Sequence, residues 1–135
     1  MKVVVDVNII ISAMIRDSTT RKILLNSRFD FFFPEKSLDK IRKYQEYVLK
    51  KSGLTEEEYN TILRILFKYI RIVSLEDIEK NWSKAKKVMG AFDVEDIVFI
   101  SSAMNLPGSV IWSDDKDFDK QDAVKVLKTK DIVEL

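Results

Sequence analysis

The chain has 135 residues, of which 46% are hydrophobic, and this is enough apolar material for a globular domain with a sizeable core. Lysine and arginine number 23 and aspartate and glutamate 22, so the net charge of +1 excludes recognition of a polyanion by bulk charge alone. The absence of cysteine excludes disulfides and thiolate chemistry, and it fits a reducing compartment.

No segment is rich in Pro, Gly or Ser, and we therefore expect a single domain over residues 1–135. The opening stretch MKVVVDVNIIISAMI superficially resembles a signal sequence, but Asp6 and Asn8 interrupt its apolar run. No run approaches the ~18 consecutive apolar residues that a membrane span needs. The sequence thus favours a soluble, cytoplasmic protein without a membrane partner.

Short β-branched or aromatic runs alternate along the chain with longer segments of helical spacing. Strands are predicted at residues 2–6, 30–33, 69–73, 109–112 and 125–128. Helices are predicted at residues 8–15, 19–27, 35–51, 55–68, 75–90 and 94–105. Runs such as VVV and FFF are apolar at every position, which is typical of strands covered on both faces. The pattern predicts an α/β three-layer sandwich with a central, mainly parallel five-stranded sheet flanked by helices.

Several acidic residues follow strands or open helices in this predicted fold. In a parallel sheet all strands end at one edge, and the connecting helices begin near that same edge. The acids that this rule brings together are Asp6, Asp39, Asp93, Asp96, Asp114, Asp115 and Asp117. We therefore expect a rim of carboxylates on one side of the sheet.

Crowded carboxylates repel one another, since two unit charges ~4 Å apart cost roughly 4 kcal/mol at an effective dielectric constant of 20. Protonation, Lys or Arg partners, or a bound cation would relieve this repulsion. With no His and no Cys in the chain, a metal would meet only oxygen ligands. Such a site suits Mg²⁺ or Mn²⁺ and disfavours zinc.

Each acid also has a purely structural interpretation. Asp93 can cap a helix with Asp96 in its first turn, and Asp39 can pair with cations one turn further along its helix. The stretch SDDKDFD after the fourth strand has the composition of an ordinary turn. Asp6 is harder to explain in this way, because it interrupts a buried apolar segment, where an unpaired carboxylate costs several kcal/mol.

Together these residues resemble the PIN-domain nucleases, over residues 3–128. The four pieces of the family's pattern are Asp6, Asn8 and Ser12; Asp39 within PEKSLDKI; Asp93 and Asp96 within DVEDIVFISSA; and Ser113, Asp115, Asp117 and Phe118. Two positions depart from the usual pattern: Asp39 stands where Glu is more usual, and Asp114 stands where a neutral residue is common.

The resemblance implies cleavage of RNA that depends on Mg²⁺ or Mn²⁺. It further implies a homodimer and, as in VapC-like members, a toxin that is inhibited by a small antitoxin protein. By motif position, the catalytic residues are Asp6, Asp39, Asp96, Asp115 and Asp117. The main metal ligands would be Asp6, Asp96 and Asp115. Asp39, Asp93 and Asp117 would be ligands through water or would complete the cluster, and Asn8 and Ser113 would orient ligands and water.

Hydrolysis of a phosphodiester needs an activated water and charge stabilisation, which two metals about 3.5–4 Å apart can supply. Asp96 or Asp117 could then receive the proton of the attacking water. Side chains that could contact flanking phosphates, or could equally be plain surface cations, are Arg16, Arg21, Lys36, Lys40 and Lys116.

Two other functions stay open on the sequence. One is phosphoryl transfer through a phospho-aspartate, although Asp6-Val7-Asn8 lacks the second Asp of the phosphatase signature. The other is an RNA-binding or scaffold protein that keeps the PIN fold without turnover. The retention of an acid at every metal-site position favours the active nuclease over this scaffold.

Overall fold

Parallel strands and helices alternate along the chain in a computed structural model that describes residues 1–15, 19–26, 28–90 and 93–135. The strands are β1 (Lys2–Val5), β2 (Asp30–Pro34), β3 (Ile70–Val73), β4 (Val110–Trp112) and β5 (Val126–Leu127). The α-helices of the described ranges are α1 (Val7–Ile15), α2 (Thr19–Leu24), α3 (Leu38–Lys43), α4 (Gln45–Ser52), α5 (Glu56–Leu66), α6 (Leu75–Lys80), α7 (Trp82–Met89), α8 (Val94–Met104) and α9 (Thr129–Val133). Two 3₁₀ helices cover Glu35–Ser37 and Lys116–Lys120.

The five strands form one sheet in the order β3-β2-β1-β4-β5, and every neighbouring pair is parallel. The chain builds the sheet outward from β1 to β3 and then returns to the other side of β1 to form β4. This reversal makes the gap between β1 and β4 the topological switch point. Open α/β sheets bind ligands at the carboxyl ends of the strands that flank such a point.

Both faces of the central strand are covered. Val3, Val4 and Val5 are fully buried although successive side chains of a strand point to opposite faces. Helix α8 packs against β1, β2 and β4, and it also contacts α6 and α7, whereas α1 contacts the group α2 to α5. The predicted three-layer α/β fold with a parallel five-stranded sheet is thus confirmed, and the carboxyl edge of the sheet is where polar side chains can gather.

The predicted strands are confirmed, but the single helices predicted at 35–51 and 75–90 are wrong. The first segment is a 3₁₀ turn followed by α3 and α4, which meet at Tyr44, and the second breaks at Asn81. Asn81 has non-helical φ and ψ of −114° and 9°, and asparagine favours helix boundaries because its side chain competes for backbone hydrogen bonds. Helix α2 ends at Leu24, and residue 27, the predicted end of that helix, lies outside the described residues.

Helix α5 begins as its sequence predicts. Thr55 Oγ accepts a hydrogen bond from the Glu58 N–H at 3.1 Å, and the Glu58 carboxylate accepts from the Thr55 N–H at 2.9 Å. This reciprocal pair satisfies two backbone donors at the start of the helix. None of the helices in the described ranges is long and apolar enough to cross a membrane.

Candidate metal centre

The candidate site lies at the carboxyl ends of β1 and β4, on the two sides of the switch point. Asp6 follows β1 directly, and its N–H donates to the Trp112 carbonyl at 3.1 Å. The backbone pairing of the two strands therefore continues one residue past β1. It holds Asp6 beside the segment that begins at Ser113.

A buried hydrogen-bond network fixes the Asp6 carboxylate. One oxygen accepts from the Ser113 hydroxyl at 2.7 Å and the other from the Val7 N–H at 2.8 Å. The Ser113 hydroxyl oxygen in turn accepts from the Asp115 N–H at 3.0 Å. Burial raises the pKa of Asp6 above its usual range, and the charges of Asp115 and Asp114 add to this, although the two hydrogen bonds oppose it. Ser113 thus has the geometry of a residue that orients both Asp6 and Asp115.

The first turn of α8 brings two further acids to the same place. The Asp93 carboxylate caps the helix by accepting from the Glu95 N–H at 3.0 Å. Asp96 is only 8% exposed, and its pKa is raised to about 6 by burial and then by the charges of Asp93, Asp115, Asp117 and Asp6. Helix N-termini favour negative charge, which stabilises acids at these positions. Asp96 therefore lies within a group of carboxylates drawn from three distant segments.

These acids share a cavity of about 90 Å³. Its polar wall consists of Asp6, Asn8, Asp93, Glu95, Asp96 and Asp115, and the remaining lining residues are Val7, Lys40, Tyr44 and Phe99. A water molecule occupies about 30 Å³ in the liquid, so the cavity has room for a cation with a few waters.

Asp39, a predicted catalytic residue, lies outside this cavity. Its side chain is 89% exposed and pairs with Arg42 at 3.5 Å. Asp39 precedes the buried Ile41 by two residues, which places it about 200° around the helix and therefore on the opposite face. The structure does not bring Asp39 together with the other predicted site residues.

Asp117 lies beside the cavity without lining it. Its N–H donates to the Asp115 carboxylate at 2.9 Å, and its own half-exposed carboxylate pairs with Lys120 at 3.6 Å. Its charge still contributes to the raised pKa of Asp96. Asp117 is thus close enough to influence the site but is held at its edge.

Glu95 and Tyr44 line the cavity, although the sequence did not predict either as a site residue. Glu95 forms an ion pair with Lys40, which was predicted to contact phosphate. Glu95 stands between Asp93 and Asp96, where a helix N-terminal acid has an ordinary structural explanation. Tyr44 carried a weaker signal, since it follows Lys40 by four residues and so shares its side of the helical segment.

The other predicted phosphate-binding cations lie away from the cavity lining or outside the described residues. The Lys36 ammonium lies 4.8 Å from the centre of the Trp82 ring. Arg21 donates to the Ala13 carbonyl at 2.7 Å, near the end of α1. Lys116 is exposed in the 3₁₀ helix after Asp115, and Arg16 lies outside the described residues.

Asp114 has a structural task instead. Its carboxylate accepts from the Thr129 N–H at 2.8 Å and from the Thr129 hydroxyl at 2.7 Å. It thereby satisfies a backbone donor in the first turn of α9. This contact gives the acid a structural role at a position where the resemblance implies a neutral residue.

The chemistry of the cavity fits a hard divalent cation. Five carboxylates and the Asn8 amide form its polar wall. These side chains offer a metal only oxygen donors, which hard divalent cations prefer. Within the described residues, no three acids stand close enough to form a finished ligand set. Three of them, Asp6, Asp93 and Asp115, instead accept hydrogen bonds from backbone N–H groups. The side chains that line the cavity and could hold a cation are Asp6, Asp96, Asp115 and Asp93.

Comparison with protein-family models finds a match over nearly the whole chain. The model described as PIN domain covers residues 4–134, a range that contains every residue lining the cavity. A comparison with curated proteins found no match.

Proposed function

Because this chain belongs to the PIN domain family, we propose that it is an endoribonuclease that depends on Mg²⁺ or Mn²⁺. PIN domains are generally nucleases, and they typically use divalent metals. The observation that carries the proposal is the convergence of Asp6, Asp93, Asp96 and Asp115 on one cavity at the switch point of the sheet. An acidic cavity repels a phosphate backbone by itself, so a bound cation is what makes the site suitable for RNA.

The residues of the site have separate tasks in this proposal. A divalent cation bound there would polarise the phosphate and make a water molecule more acidic. Ser113 holds the Asp6 carboxylate in place, and Asn8 orients substrate or water at the cavity wall. Asp96 receives the proton of the attacking water, with Asp117 at the edge as the alternative acceptor.

We further propose that the chain forms a homodimer and acts as a toxin that a small antitoxin protein inhibits, as the resemblance to VapC-like members implies. A partner chain needs apolar surface to cover. Ile72 and Leu75 provide such surface in and just after the edge strand β3, where each is close to half exposed.

The test is cleavage of a mixed RNA pool with Mn²⁺, repeated with excess chelator, followed by mapping of the cut ends. We expect cleavage that the chelator stops. Asp96→Asn should lower the rate by more than about 100-fold, because it removes a ligand charge and the proton acceptor together. The matched control is Asp30→Asn, the same chemical change at the amino end of β2, which should cleave like the wild type.

Full activity of Asp96→Asn on single-stranded RNA, or cleavage that survives the chelator, would contradict this mechanism. An intact RNA pool despite Mn²⁺ binding would favour the scaffold function instead. A beryllofluoride adduct on Asp6 would favour phosphoryl transfer through aspartate.

A further inference from the structure

A stripe of lysine and tyrosine side chains starts at the cavity and runs along α3 and α4. Its members, Lys40, Tyr44, Tyr47 and Lys51, are spaced by four, three and four residues, which returns each to the same side of a helix. The periodicity continues through the junction of the two helices. There the Tyr44 N–H donates to the Lys40 carbonyl at 3.2 Å, and the Val48 N–H donates to the Tyr44 carbonyl at 3.0 Å.

The two tyrosine rings of this stripe face solvent beside the cavity. Tyr44 lines the cavity and is 39% exposed, and Tyr47, one turn further on, is 50% exposed. The buried side of the same helical segment is formed by Ile41 and Val48, so neither ring is needed to close the core. Exposed aromatic rings next to a site for phosphate chemistry suit stacking with nucleobases.

The charge around the stripe is complementary to a nucleic acid. Residues 40–51 carry five lysines or arginines and a single acid, Glu46, whereas the whole chain has a net charge of only +1. The Lys51 ammonium lies 5.9 Å from the centre of the Tyr47 ring. A basic segment with interleaved aromatic rings is the arrangement that holds single strands, since cations contact phosphates while rings stack on bases.

We propose that Tyr44 and Tyr47 are stacking platforms for unpaired bases next to the cleaved phosphate, and that Lys51 contacts the backbone beyond them. The inference rests on the proposed nuclease function and adds the residues that select the substrate. Bases inside a duplex stack on one another and present no free face to a tyrosine ring. The stripe therefore gives the site its preference for unpaired RNA.

The experiment measures binding of a fluorescein-labelled, unstructured oligoribonucleotide by anisotropy at one fixed salt concentration. The Asp96→Asn background keeps the RNA intact. We expect Tyr44→Ala to weaken binding about 5- to 150-fold, the range for loss of one stack between a base and an aromatic ring. Tyr47→Ala should act in the same direction. Tyr44→Phe, which keeps the ring, should bind like the parent, and duplex RNA should bind Tyr44→Ala and its parent equally.

Tyr69→Ala is the matched control, because Tyr69 is as exposed as Tyr47 but lies before β3, at the opposite edge of the sheet. It should leave affinity unchanged. Equal affinity of the parent and Tyr44→Ala, or equal damage from Tyr44→Phe and Tyr44→Ala, would overturn the inference. So would a change of oligomeric state in Tyr44→Ala without a change in RNA affinity, since the stripe would then be a protein interface. Failure of the proposed function is seen separately, as wild-type protein that does not cleave RNA with Mn²⁺.

Discussion

At the scale of single residues, the cavity concentrates negative charge around the carboxyl group of Asp96. Its pKa of about 6, against an ordinary value of 3.8, means that the folded chain holds this proton more tightly than the unfolded chain does. Stability without metal must then fall as pH rises from about 4 to 6, because the folded state binds more protons over that interval. The cost above pH 6 is of the order of 3 kcal/mol. The raised pKa of Asp6 acts in the same direction.

Asp96→Asn should for this reason stabilise the metal-free protein while it removes a metal ligand. We expect a gain of about 1–3 kcal/mol at pH 7.5 and little change near pH 4, where Asp96 is already protonated in the wild type. Urea unfolding with chelator at both pH values measures the gain. A variant less stable than the wild type at pH 7.5 would show that Asp96 is not repelled by its neighbours.

The contrast between Asp6 and Asp39 explains which site residues the sequence could place. Asp6 directly follows a strand, so the end of the strand is enough to put its side chain at the edge of the sheet. Asp39 lies within a helix, where placement also depends on rotation about the helix axis. That rotation is set by the burial of Ile41. The sequence places Asp39 early in a helix, but it does not predict on which side of that helix the Asp39 side chain lies.

At the scale of elements, the stretch SDDKDFD after β4 divides its acids among different tasks. Asp115 lines the cavity, and Asp117 pairs with a lysine at its edge. Asp114 binds the first turn of α9, and Asp119 forms an ion pair with Lys128 at 3.3 Å. The sequence could not assign the role of Asp114, because its partner lies 15 residues away in a short helix that was not predicted.

Asp114→Ala should destabilise the protein by about 0.5–2 kcal/mol, since it leaves a backbone donor at the start of α9 without its acceptor. Urea unfolding measures the loss, and Asp122→Ala, a change of an exposed acid outside this contact, is the control. The rate of RNA cleavage should stay within about twofold of the wild type at a temperature where both variants are folded. Loss of cleavage at unchanged stability would instead place Asp114 in the metal site.

At the scale of the whole molecule, strand order brings the site together. The sequence predicted the parallel sheet from doubly covered apolar runs, and so it predicted a shared edge. It did not predict that β4 pairs with β1, which depends on packing between distant segments. That pairing brings Ser113 within 2.7 Å of Asp6, across 107 residues of sequence. The strand order therefore brings acids that are far apart in the sequence to the lining of one cavity.

The fold brings carboxylates that repel one another to one cavity at the switch point. A bound cation should offset this repulsion and stabilise the folded protein. Isothermal titration of the wild type with Mn²⁺ at pH 7.5 is the most direct measurement of that binding. We expect binding in the micromolar to millimolar range, weakened more than about 10-fold in Asp96→Asn and unchanged in Asp30→Asn. An absence of binding by the wild type, or equal binding by Asp96→Asn, would contradict the assignment of this cavity as a metal centre.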